Sequence, residues 1–224
     1  MMNIAEYLEC TSYERNDLLV AAGYLPIHNE LEGRKLELAL DWAQRTMRLI
    51  PWPSMIVSHT QDIKGYNEPA CRLFEIPSDH SYDNRMNRVD LHFSSDLPIR
   101  SRSTFDQTSL EQWESHAING IRAFKRNHVL SRHDAWYQKV LDKARQYHAI
   151  EKYDRPDGEG DIEQTQTILA RMESSGELVP IRYKQNSISA SDSLYPQIMV
   201  FLPVDAAARQ MFEELGCPAD CEFL

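Results

Sequence analysis

Residues 54–74 read Ser-Met-Ile-Val-Ser-His-Thr-Gln-Asp-Ile-Lys-Gly-Tyr-Asn-Glu-Pro-Ala-Cys-Arg-Leu-Phe. The apolar run centred on Met55, Ile56 and Val57 has the length of a strand. Thr60 to Asp62 supplies turn chemistry, and Ile63 to Tyr66 alternates in polarity, so the two runs read as a β-hairpin. A short helix follows. Asn67 offers a capping oxygen, and Pro69 falls early, where a missing backbone N–H costs nothing. Ala70, Leu73 and Phe74 form its apolar face, and Pro77 ends it.

Three more strands are expected near the other end of the chain. They are Thr165 to Met172, Leu178 to Ile188 (alternating through Val179, Ile181 and Tyr183) and Tyr195 to Leu202. Gly176 and the cluster Ser189 to Ser193 separate them, and Pro203 closes the last. Asp205 to Leu215 then makes a final helix with Met211, Phe212 and Leu215 inward. The intervening region is helical. Asn87 to Phe93 is short. Leu110 to Leu130 is long, with Trp113, Ala117, Ile121 and Phe124 on one stripe and Gly120 inside it. A third helix, capped by Asp134, carries Trp136, Tyr137, Val140, Leu141, Ala144 and Tyr147. Tyr153 to Asp161 reads as a loop.

The beginning of the chain is helical too. Ile4 to Cys10 reads as a helix end. Thr11 and Glu14 have the spacing of a capping box, and Leu18, Leu19, Ala21 and Ala22 continue that helix to a stop at Gly23 and Pro26. Such a fragment is too short to fold alone and must pack on something. Leu36 to Leu49 is a connecting helix, ended by Pro51-Trp52-Pro53. The expected fold class is therefore α+β. It has a five-stranded antiparallel sheet with helices inserted between strands 2 and 3, plus an N-terminal helical segment. The expected divisions are 1–26, a connecting helix in 27–50, and a sheet-bearing body in 51–224.

The 224 residues are 42% hydrophobic, enough for one filled core, and carry a net charge of -10. Nucleic-acid binding draws most of its affinity from basic side chains, so this acidity argues against DNA as a partner of the body. No apolar run approaches the roughly 20 residues of a membrane span, and the first residues lack a signal-peptide pattern. A cytoplasmic location is expected. Four cysteines, Cys10, Cys71, Cys217 and Cys221, make no disulfide framework, and Cys217/Cys221 has no second pair to complete a metal site. His116, His128, His133 and His148 lack metal-ligand spacing. Gly-x-Ser-x-Gly, Walker and Gly-x-Gly-x-x-Gly sequences are all absent, so neither catalysis nor a cofactor is expected.

Ala5 to Pro26, with its Thr11-Ser-Tyr-Glu-Arg15 turn, Leu18-Leu19, Ala22-Gly23 and Pro26, resembles the last part of an XRE-type (lambda-repressor-like) DNA-binding domain. The body resembles the ligand-binding domain of MmyB-like transcription regulators. The resemblance lies in Asn67 to Phe74, Asn87 to Phe93 with Leu97-Pro-Ile-Arg100, the Trp113 to Trp136 region, and Phe201 to Asp205 before the last helix. It implies a PAS-like sensor domain that binds a lipophilic, fatty-acid-like small molecule behind a helix-turn-helix; a homodimer is also expected. The recognition helix of such a unit lies before Ile4 and is missing from this chain, so DNA is a partner only through that missing part.

For such a ligand the candidate pocket residues are Trp113, Ile121, Phe124, Trp136 and Tyr137 on the helical stripes. Arg100, with Arg102 nearby, is the candidate fork for a carboxylate. Ordinary core packing accounts for the same aromatics, and solvated charge for the same arginines. Ligand binding would favour one helix arrangement, passed on through Leu36–Leu49; a nearly complete switch needs about 5.5 kcal/mol of discrimination. A ligand-free dimerisation module is the alternative reading, and an enzyme is the weaker third.

Overall fold

The hairpin is present as β1 (Ser54–Val57) and β2 (Ile63–Tyr66) in the computed structural model, which describes residues 2–27, 30–76, 86–147, 165–189 and 194–218. Its turn carries Gln61 at φ 62°, in the left-handed region that favours glycine. Asn67 caps α4 (Glu68–Phe74) by accepting from the Ala70 N–H at 3.2 Å. It also accepts from the Ser54 N–H and donates to the carbonyl oxygens of Ile50 and Trp52, so the same side chain fixes the helix to the strand entry. Pro77 lies outside the described residues, as do the loop from Tyr153 to Asp161, His148 and Cys221.

The remaining strands are β3 (Thr165–Arg171), β4 (Leu178–Ser189) and β5 (Gln197–Pro203). All pairings are antiparallel, in the order β2-β1-β5-β4-β3, so the first and last strands of the chain lie side by side at the centre. β1 is buried at all four positions, which is why it reads as an unbroken apolar run rather than an alternation.

Strand alternation sorts the core into two layers. On one face Ile56, Ile198 and Val200 meet Ala43 and Met47 of α3 (Gly33–Met47). On the other, Met55, Val57, Ile168, Ile181 and Phe201 meet Leu73 and Phe74 of α4 and Phe212 of α9 (Ala206–Glu214). The chain between β2 and β3 also contributes α5 (Arg88–Phe93), α6 (Pro98–Ser103), α7 (Gln107–Asn127) and α8 (Ala135–Arg145). The helix α6 goes beyond the sequence reading; six residues opened by Pro98 carry too little periodicity to register. α7 starts at Gln107, three residues earlier than its apolar stripe, because Asp106 and Ser109 form a reciprocal cap.

The N-terminal helices are α1 (Met2–Tyr7) and α2 (Ser12–Ala21). The Thr11–Glu14 capping box is formed, with the Thr11 N–H donating to Glu14 at 2.8 Å. Asp134 does not cap α8, contrary to expectation. Its carboxylate instead accepts from the Ser12 N–H at 2.7 Å and from the Ser12 hydroxyl. With Arg15 donating to the Leu130 carbonyl, this holds the N-terminal pair on the turn between α7 and α8. No described helix is long and apolar enough to cross a membrane.

Candidate functional site

The inward face of β4 changes character along its length. Ile181 and Tyr183 belong to the core. Two and four residues further on, the same face carries Gln185 and Ser187. These pair with Phe201 and Met199 of β5, and Gln197 pairs with Ser189. A cavity of about 240 Å³ opens where the apolar core ends, between these strand residues and α7. On α7 its wall is His116, Asn119, Gly120, Ala123 and Asn127, polar or small residues at helical spacing, together with Phe124. A Cβ added at Gly120 would meet nothing within 4 Å, so the helix turns open space toward the cavity there.

A second, apolar chamber of about 70 Å³ lies between α5, α7 and α8, lined by Val89, Phe93, Ile121, Phe124, Val140 and Leu141. The two chambers share Gln61, Arg88, His116, Gly120 and Phe124 as walls. Together they reach the lower end of the range for small-molecule pockets, roughly 300–1,000 Å³. Lys143 pairs with Asp90 at 2.7 Å and the Tyr147 hydroxyl donates to Asp90 at 2.8 Å, fixing α5 against the end of α8.

Arg88 stands where the chambers meet. Its place is set by Asn87, which caps α5 through the Val89 N–H at 2.9 Å and donates to Thr60 and Asp62 on the hairpin turn. The Arg88 N–H also donates to the Gln61 carbonyl at 2.7 Å. Among the described residues no carboxylate pairs with the Arg88 guanidinium, and none lines either chamber. Burial lowers its pKa, partly offset by Tyr195, and leaves it a cation.

The histidines of the site are neutral. Burial first, and then Arg88, pushes His116 down to about 3. His92 is held well below its usual range by burial, then by His116, Arg88 and Arg100. His92 lies flat on Trp113, ring centroids 4.8 Å apart, and its buried Nε2 has no hydrogen-bond partner among the described residues. The Gln166 amide meets the His116 ring at 3.2 Å and accepts from the Tyr183 hydroxyl at 3.1 Å. Tyr195, its hydroxyl raised chiefly by burial, accepts from Gln61 at 3.3 Å.

Of the residues expected to line a pocket, Ile121 and Phe124 do so. Trp113 is a core residue under His92, with Phe93 against its edge. Tyr137 is buried and stacks on Phe124 at 5.2 Å. Trp136 packs edge-on to His59 and His128 and faces a separate recess beside Ser12 and Glu30. Arg100 caps the Trp113 ring from 5.1 Å and donates to the Phe93 carbonyl. Arg102 is buried, donating to the Leu73 and Leu169 carbonyls beside Glu75. Neither arginine lines the cavity; Arg88 takes that position. Period-two reading of β4 past Tyr183 would have exposed the inward Gln185 and Ser187, whereas nothing local to Arg88 distinguishes it.

Cys10, Cys71 and Cys217 are free thiols; burial pushes Cys217 up to about 11. Among the described residues no cluster of three or more His, Cys, Asp or Glu is placed to hold a metal. No model of a known protein family matches this chain, and no curated protein matches it.

Proposed function

We propose that this chain is the PAS-like ligand-sensing domain of a helix-turn-helix transcriptional regulator, taking a lipophilic, fatty-acid-like small molecule between its sheet and α7. The observation that carries this reading is the pair of joined chambers, one mostly apolar and one mostly polar, with Arg88 at their junction and no carboxylate paired with it among the described residues. The strand order β2-β1-β5-β4-β3, with α4–α8 inserted between β2 and β3, supports it as the arrangement expected of such a sensor. An acyl chain fits among Val89, Phe93, Ile121 and Leu141, and an acidic group fits beside Arg88.

Signalling follows as population shift: the ligand stabilises one placement of α7 and Tyr195 over another. The N-terminal pair α1–α2 docks beside this region through Ser12 and Asp134, which makes the α7–α8 turn the receiving element. The connecting helix α3 lies on the opposite face of the sheet. Its outward Leu38 and Trp42 are 60% and 52% exposed, and Leu49 just past its end is 84% exposed, which favours a homodimer through α3 as the second role of the chain.

The test is thermal unfolding of delipidated protein with saturated fatty acids of six to twelve carbons. A ligand at a hundred times its Kd stabilises by about 2.7 kcal/mol, a rise of several degrees in Tm for a chain this long. A Tm that no acyl compound moves contradicts the reading.

A further inference from the structure

Five carboxamides line the sheet-side chamber; Gln61 donates to the Tyr195 hydroxyl, but among the described residues the side chains of Asn119, Asn127, Gln185 and Gln197 hydrogen-bond to no protein group. An alkyl chain laid against them would strip their water and return nothing. Each polar group buried in that way without a partner is destabilising. This chamber is also the larger, about 240 Å³ against about 70 Å³ for the apolar one. A simple fatty acid reverses those proportions, since its polar part is one carboxylate and the rest is chain.

Charge restricts the choice further. With His92 and His116 neutral, Arg88 is the only charged side chain among the described lining residues, and no carboxylate among the described residues faces it. A cation that is half-buried and unpaired selects for an anion. Carboxamides both donate and accept, so they suit a head group holding an amide or hydroxyls of its own.

Building on the sensor reading above, we infer that the ligand is a conjugated amphiphilic anion: a short acyl chain joined to a small polar acid, of the N-acyl amino acid class. Its acid group meets Arg88, its amide and polar head occupy the carboxamide chamber, and its chain enters between α5, α7 and α8.

Isothermal titration at pH 7.5 tests this with N-hexanoylglycine, its methyl ester, octanoate and dodecanoate. The expected order places N-hexanoylglycine at least about tenfold tighter than octanoate and than its own ester. Arg88→Gln should remove the preference for acid over ester, and Arg88→Lys should keep part of it. Gln185→Leu should narrow the gap between the conjugate and octanoate while the protein stays folded by circular dichroism. Equal affinity for acid and ester, or an octanoate or dodecanoate affinity matching the conjugate, overturns the inference and leaves the lipophile sensor standing. Binding by none of the four overturns both.

Discussion

The imidazole of His128 stacks on the ring of Tyr195, centroids 5.3 Å apart and planes inclined by 26°. Tyr195 lines the sheet-side chamber, and His128 Nδ1 lies 3.2 Å from a Glu30 carboxylate oxygen. Phe124, a wall of both chambers, touches the same imidazole from 4.9 Å. Packed contacts thus run from the cavity to the segment that joins α2 to α3. His128→Phe keeps a ring on Tyr195 but deletes the bond to Glu30. The variant should bind ligand near the wild-type affinity, yet hydrogen exchange in residues 2–27 should no longer respond to ligand. An unchanged response rules out this route.

Asp134 tests the docking of the N-terminal pair. Its buried carboxylate accepts both polar hydrogens of Ser12, and hydrogen bonds to charged groups contribute about 1.5–3 kcal/mol each. Asp134→Ala should therefore destabilise by about 2–4 kcal/mol in urea unfolding and expose α1–α2 to limited proteolysis first. Equal protection of both termini in the variant would show that the pair is held elsewhere.

Gly120 separates helix stability from cavity occupation. Ala at this mid-helix position should stabilise by up to about 1 kcal/mol, because its Cβ enters open space. Gly120→Leu should keep the helix and fill the junction of the chambers, lowering ligand affinity by at least about tenfold. Denaturant midpoints and titration read the two effects independently.

Acid should weaken the fold through His92 and His116. Both have folded values below the unfolded value of about 6.5. Below pH 6.5 the unfolded chain therefore binds more protons than the folded one, and stability falls as pH drops toward the folded values. Each histidine contributes at most about 1.4 kcal/mol per pH unit in that window. Urea unfolding at pH 7.0 and 5.5, a range above the carboxylates, should show this loss, and His116→Gln should reduce it. A loss identical in the variant would mean that His116 is not protonated more readily on unfolding.

Local chemistry explains what the sequence made legible. The hairpin at Ser54 to Tyr66, the caps at Thr11 and Asn67, and the strands at Thr165, Leu178 and Gln197 depend on neighbours within a few residues. The site depends on distant ones. Arg88 points into the cavity because Asn87 is tied to Thr60 and Asp62 on another element. Trp113 and Arg100 have the residue types of a binding site, but His92 and the Phe93 carbonyl engage them instead. Asp134 fits a cap by sequence, and Ser12, 122 residues away, takes its carboxylate. Ile121 and Phe124 were legible as cavity-wall residues because the wall they form is a helical stripe, readable within α7 alone.

Native mass spectrometry of the chain purified from bacterial cells, beside Gly120→Leu prepared identically, tests the sensor claim most directly. The account predicts one acyl-bearing molecule per wild-type chain, released on denaturation, and its loss from the variant. A wild-type mass with no bound molecule after exposure to acyl compounds, or the same molecule retained by Gly120→Leu, would contradict it.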